Sequence, residues 1–298
     1  MRGSAWKRWV RLEGYITMND GQTILKLQEL DSSIRLLAIQ RVLYGLAKIW
    51  NASATLIGFI IPVAITSLQL AGITNFSDSF CVILGLLFFF LDCFFMQLAR
   101  RRTENAASIQ QVLDSKLFAV DFDNDPIDVN LCARSYCIFR WFGCHMRELP
   151  AWYSECIADL SDEEAVLACQ QENIAWTSRL YIRFRILIFA SAFAVAVSFG
   201  FGVIEQGADI ANLAFFFAPF QWTFIQLTEL NGAIWALRSC DQIARLDVSD
   251  RLSIVRETQS IIYAVRKTRA IPGWMYRVFR KLDESLASAE ILIDRDIH

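Results

Sequence analysis

Four apolar segments, residues 52–71, 80–98, 186–204 and 210–227, contain no Lys or Arg and are set along the chain as two closely spaced pairs. Each approaches the ~20 residues that a helix needs to cross ~30 Å of hydrocarbon at ~1.5 Å per residue. In hydrocarbon the backbone must satisfy its own hydrogen bonds, and a helix does so within one segment. The pattern predicts an all-α integral membrane protein with four transmembrane helices in two hairpins, acting at or across a bilayer.

Charge placement gives the orientation. The connections 72–79 and 205–209 carry Asp78, Glu205 and Asp209 but no Lys or Arg, so all 29 basic residues fall on one side. Basic residues crowd the span ends at Lys48, Arg100–Arg102, Arg183, Arg185 and Arg238. The positive-inside rule then puts both termini and the middle segment in the cytoplasm. The expected organisation is a cytoplasmic N-terminal helix (1–51), a first hairpin (52–98), a cytoplasmic helical region (99–185), a second hairpin (186–227) and cytoplasmic C-terminal helices (228–298). Residues 1–17 lack an apolar h-region, so no secretory leader is expected, and Met18 is an alternative start. A net charge of −2 argues against a nucleic-acid partner held by a basic face.

Within the charged regions, residues 23–51 read as one helix running into the first span, with Leu27, Leu30, Ile34 and Leu37 at heptad spacing. That stripe suits packing on the cytoplasmic domain or self-association. The second span continues as helix to about Leu117, and Asp123-Asn124-Asp125-Pro126 ends it. Asp121, Asp123 and Asp125 resemble the start of a calcium loop, but Pro126 and Cys132 stand where that loop needs Gly and Glu. Trp152 and Tyr153 are assigned to a short helix after Pro150. Ser161-Asp162-Glu163-Glu164 is a capping box opening a helix that runs into the third span. Residues 249–270 are amphipathic through Leu252, Val255, Ile262 and Val265, and a last helix follows over 274–293.

The spans carry their own signals. Ala190, Ala194, Ser198 and Gly202 recur every fourth residue in the third span, which lets two helix backbones approach closely. Their partner is either another helix of this chain or a second protomer. Asp92 lies inside the second span, where a carboxylate costs about 2.5–3.5 kcal/mol on insertion scales. It reads equally as a mark of an ion path or as a hydrogen-bonded carboxyl between helices. Gln221, Thr223 and Gln226 in the fourth span are candidate polar neighbours, and Asp92, Gln221 and Gln226 are the candidate pore or gating residues. Phe88–Phe90, Phe94, Phe95 and Phe215–Phe217 suit a lipid-facing surface, a bundle plug or a hydrophobic gate.

Recognisable catalytic chemistry is missing from the sequence. There are two histidines, and no Walker A, GxSxG, HExxH, kinase or dinucleotide motif occurs. Neither an enzyme nor a resident cofactor is expected. Cys132, Cys137, Cys144 and His145 cluster in sequence, but their spacing matches no common zinc site, so buried thiols are the expectation and no metal is assigned.

Four stretches resemble the S-4TM family: Gln40-Arg41-x-x-Tyr44-x-x-Ala47-Lys48; Ala107-x-Ile109-Gln110-x-x-x-Asp114-x-x-Leu117-Phe118; Trp152-Tyr153; and Cys169-Gln170-x-x-Asn173-x-x-Trp176-x-x-x-Leu180. The family comprises membrane effectors of CBASS-like anti-phage systems, associated with nucleotidyltransferases that make cyclic oligonucleotides and expected to form pores. The resemblance runs from Gln40 to Tyr181, and the chain departs from the family pattern at Gln171 and Thr177.

The resemblance implies that the cytoplasmic domain binds an activating cyclic di- or trinucleotide, that the protein forms a homo-oligomer, and that it permeabilises the lipid bilayer in abortive infection. Such a ligand needs cations for phosphates and aromatic faces for bases. The ligand-binding candidates are Arg41, Lys48, Asp114, Trp152, Tyr153, Gln170, Asn173, Trp176 and Arg179, with Arg134 and Arg140 as further cations. Asp114, Gln170 and Asn173 read equally as hydrogen-bonding residues that hold the domain together. A membrane-anchored scaffold without a pore, and a constitutive small channel or transporter, are the alternative readings.

Overall fold

The structure, a computed structural model, describes residues 18–74, 76–142, 152–206, 217–244 and 251–279, with Leu286. The described residues hold helices and connections and no strand. Eight α-helices carry the fold: α1 (Gly21–Gln28), α2 (Asp31–Thr55), α3 (Ile61–Leu70), α4 (Asp78–Phe118), α5 (Val129–Trp141), α6 (Asp162–Gln206), α7 (Phe217–Ala244) and α8 (Arg251–Thr268). A further helical stretch covers 273–279.

Local chemistry sets the ends. The Asp20 carboxylate caps α1 by accepting from Thr23 N at 2.7 Å, and Asp128 caps α5 by accepting from Asn130 N at 2.9 Å. Ser161 Oγ donates to Glu164 Oε2 at 2.7 Å, so the first and last residues of the predicted capping box meet side chain to side chain. Ala119 ends α4 in the left-handed region at φ 55°.

Long helices join the two halves of the molecule. α4 has 41 residues and α6 has 45, so each is ~60 Å or more in length at 1.5 Å per residue. α2 continues through a π-helical turn (Leu56–Ile60) into α3. Pro62 lies one residue beyond that turn and cannot donate to the Gly58 carbonyl as an α pattern demands; the wider π ring accommodates it. Three helical runs, Asp31–Gln69, Ser79–Phe118 and Asp162–Phe201, are long and apolar enough to cross a membrane. The predicted fourth span, 210–227, lies partly outside the described residues.

At one end the helices form a polar-surfaced domain. Its core gathers Ile24, Leu113, Leu117, Phe118, Ile157 and Val166 from α1, α4, the 3-10 turn (Glu155–Ile157) and α6. A second core joins α6, α7 and α8 through Tyr181, Phe184, Leu230, Ile234, Leu237 and Ile262. The other end is apolar outside: Ile83, Phe90, Phe189, Phe193 and Phe220 are all exposed. Apolar surface on that scale has no place in water and suits hydrocarbon.

Two local expectations are corrected. The helix predicted over 23–51 is broken at Glu29 and Leu30, where Leu30 is extended (φ −64°, ψ 141°). The break lets the Gln28 side chain leave the helix line and accept the backbone N–H groups of Trp152 and Tyr153, each at 3.0 Å. For the same reason Trp152 and Tyr153 lie in a bend rather than a helix. Cys144, His145, Phe215, Phe216 and most of the predicted helix 274–293 fall outside the described residues, as do the surroundings of Gly202.

Candidate functional site

The polar domain is organised around Asp114 on α4, which is fully buried. Its Oδ1 accepts from the Tyr153 hydroxyl at 3.1 Å. Its Oδ2 accepts from Gln259 Nε2 at 2.9 Å and from Arg266 Nη1 at 2.5 Å, both on α8. Gln259 Nε2 also donates to Gln111 Oε1 at 2.9 Å, and its own Oε1 accepts from Gln170 Nε2 of α6 at 3.1 Å. Gln170 also donates to the Val255 carbonyl at 2.9 Å. Asn173 Nδ2 donates to the Tyr153 hydroxyl at 3.2 Å. Turned so that its oxygen faces Arg266, the Gln110 amide accepts from Nε at 3.3 Å and Nη2 at 3.0 Å, which extends the set to Gln40 on α2.

Burial pulls the Arg266 guanidinium down, but the adjoining Asp114 carboxylate, together with the Tyr153 and Tyr44 hydroxyls, outweighs it, and the net shift is upward. Burial and then Asp114 push the Tyr153 hydroxyl well above its usual range, so it remains a donor. Burial likewise raises the Cys169 thiol.

Asp114, Tyr153, Gln170 and Asn173 are therefore brought together, and they bond to one another's helices. The other ligand candidates lie elsewhere. Trp152 is half-buried against the first core. The Trp176 ring meets Tyr276 edge-on at 5.1 Å, and Arg179 Nε donates to the Ala175 carbonyl at 3.2 Å. Arg41, Arg134 and Arg140 are exposed. Lys48 is half-buried beside Gly273, and burial, followed by the charge of Arg41, lowers its ammonium pKa.

Sequence reasoning missed Gln259 and Arg266. Their signal was present: Val255, Gln259, Ile262 and Arg266 share one face of α8, so two polar residues interrupt its apolar stripe. A cleft of ≈ 380 Å³ lies beside that face, between Arg256, Ser260 and Tyr263 of α8 and the 121–125 turn, with Gln111 in its lining. Of the turn acids, Asp125 pairs with Lys267 at 2.5 Å, and that pairing lowers its carboxyl. Among the described residues no group of His, Cys, Asp and Glu has the arrangement of a metal site.

The apolar bundle contains a second buried carboxyl, Asp92, also on α4 and also fully buried. Among the described residues neither oxygen has a hydrogen-bond partner. It lies against the π turn, where a Cβ built on Gly58 would stand 2.6 Å from both Asp92 Cγ and Oδ1. Only glycine leaves room there. Gln221 Nε2 reaches Cys93 Sγ at 3.1 Å and Gln226 Nε2 reaches Met96 Sδ at 3.7 Å, so two of the predicted neighbours, though not Thr223 by any such bond among the described residues, face α4 within about a turn of Asp92. Their Oε1 atoms and Trp222 Nε1 are buried and unpaired.

Between the two halves lies Arg269, just past α8. It pairs with Glu229 of α7 at 3.7 Å, and its carbonyl accepts from the Tyr181 hydroxyl at 3.1 Å. Burial lowers the Arg269 guanidinium and raises the Glu229 carboxyl. On α6 the predicted packing stripe is uncovered: Ala190, Ala194 and Ser198 are exposed in the single chain.

The geometry defines a helical membrane protein whose polar domain and spanning bundle share helices. The SMODS-associating 4TM effector domain matches residues 22–291, and the chain belongs to that family. It is similar to a probable CBASS effector molecule, IK1_05631, of Bacillus cereus (strain VD146), with 24% identity over 282 residues, covering 88% of this chain and 94% of that protein. No solved structure matches the chain. The family motifs coincide with the core: Ala107, Ile109, Asp114, Leu117, Phe118 and Cys169 are all buried.

Proposed function

We propose that this chain is an inner-membrane effector of bacterial anti-phage defence. Its cytoplasmic helical domain senses a cyclic oligonucleotide made by a partner nucleotidyltransferase. Protomers then associate, in part through the uncovered Ala190–Ala194–Ser198 stripe, and the bilayer is permeabilised in abortive infection. Both termini face the cytoplasm in this reading, as the basic residues require.

One observation carries the proposal: α4 and α6 run without a break from the polar core into the apolar bundle. A ligand that shifts the helices around Asp114 must move the spans, because no loop intervenes to absorb the displacement. Such a shift is possible only if the ligand binds the two arrangements with different affinity. The closed bonding around Asp114 suits a structure that is rebuilt on activation, with Arg41, Lys48, Arg134 and Arg140 supplying cations for phosphates from outside it. Family membership and the similarity to a probable CBASS effector support the reading.

Dye-loaded liposomes containing the full-length protein test it. Leakage on addition of cyclic di-AMP, cyclic di-GMP, cyclic GMP–AMP or a cyclic trinucleotide, and none before, is the expected result. A tight vesicle under every nucleotide points to a scaffold without a pore. Leakage without nucleotide, tolerated by expressing cells, points to a constitutive channel.

A further inference from the structure

The bundle has an excess of unpaired acceptors. Asp92 contributes Oδ1 and Oδ2, and Gln221 and Gln226 contribute Oε1, all buried and without a hydrogen-bond partner among the described residues. Gln221 and Gln226 reach α4 at Cys93 and Met96, one and four residues along the same helix from Asp92. Gly58 completes the surround, its missing side chain leaving the carboxyl in place. A buried ionised carboxylate with no partner is very costly, so Asp92 either holds a proton or takes a counter-ion.

The nearest cationic side chain does not serve. Arg269 influences Asp92 through space but is engaged by Glu229 at 3.7 Å and makes no ion pair with it. Unpaired oxygen acceptors on the same short stretch as one negative charge match a hard cation, and acidic side chains in membrane pores favour cations. A single carboxylate favours a monovalent ion, because divalent sites recruit several.

We propose that Asp92, Gln221 and Gln226 form a binding site for a monovalent cation with part of its water shell, on the path that ions take through the opened bundle. The proposal rests on the permeabilisation reading and adds to it the sign of the permeant ion.

Planar bilayers under a potassium chloride gradient, activated with the cyclic dinucleotides above, test the site with the full-length protein. The wild type is expected to reverse close to the potassium equilibrium potential. Asp92→Asn is expected to conduct with that selectivity lost, Asp92→Glu to keep it, and Gln226→Leu to weaken it. A non-selective wild type, or an Asp92→Asn variant as selective as the wild type, overturns the site while leaving permeabilisation intact. If nothing conducts, the permeabilisation reading fails, and infrared spectra of the reconstituted wild type decide the site separately. A carboxylate band that moves as potassium is titrated supports it. A protonated carboxyl band indifferent to potassium overturns it.

Discussion

Asp114 and Asp92 occupy the same helix, α4, about six turns apart, and both are fully buried. Asp114 is met by three donors, from Tyr153, Gln259 and Arg266. Asp92 is met by none among the described residues. What differs is the supply of neighbours. Around Asp114 the chain folds back twice, through the 152–153 bend and through α8, and each return delivers polar side chains. Around Asp92 the neighbours are spanning helices, whose lipid-facing surfaces leave few positions for donors. The first carboxylate is part of a finished core. The second is left without a donor among the described residues.

The largest test of that contrast is a pair of substitutions measured in one assay. Asp114→Ala leaves the Arg266 guanidinium buried without its partner, and breaking a buried pair in this way costs about 3–5 kcal/mol. Asp92→Asn removes no hydrogen bond and is expected to change stability by less than about 1 kcal/mol. Thermal unfolding in detergent, followed by circular dichroism, reads both. Equal losses would abolish the distinction between the two sites.

Gly58 gives a smaller and sharper test. In Gly58→Ala the new methyl meets the Asp92 carboxyl at 2.6 Å, an overpacking expected to cost about 1–3 kcal/mol. Improved helix propensity returns up to about 1 kcal/mol of that. Combined with Asp92→Ala, which clears the space, Gly58→Ala should cost nothing or stabilise. Simple additivity in the double variant would show that the π turn and Asp92 are not packed together.

Legibility followed the same division. Three of the four predicted spans, the continuity of α4 and α6 and the family were readable because each rests on a local or periodic signal. Asp92 stood out because a charge in an apolar run is conspicuous. The closed site was only half readable: Asp114, Gln170 and Asn173 were singled out, yet Gln259 and Arg266 were not. Their meaning depends on α8 returning to α4 across more than a hundred residues, and no local pattern encodes that. The π turn was likewise invisible, since Leu56–Ile60 is as apolar as any span and only Pro62 hinted at it. The break at Leu30 escaped notice because heptad spacing held across it; what bends the chain there is a distant backbone that Gln28 caps.

Tyr153→Phe has the smallest expected effect and probes whether the closure of Asp114 is redundant. The substitution removes one of three donors to the carboxylate, together with the bond from Asn173. Gln259 and Arg266 remain, so the loss should be near about 1 kcal/mol, as for an ordinary buried hydrogen bond. In an Asp114→Ala background it should shrink, because the acceptor is already gone. The pH dependence gives an independent check on sign. Burial and Asp114 hold the folded hydroxyl well above the ordinary tyrosine value of 10.0, so the folded state keeps the proton after the unfolded chain has lost it. The contribution of Tyr153 is therefore complete below pH 10.0 and falls as pH rises from there toward the folded value. The gap between wild type and Tyr153→Phe should stay constant from about pH 6 to 9 and close only in more alkaline solution. A gap that closes on acidification would mean that the bond depends on Asp114 being ionised in a solvent-reachable site, which would make the polar core as open as the bundle.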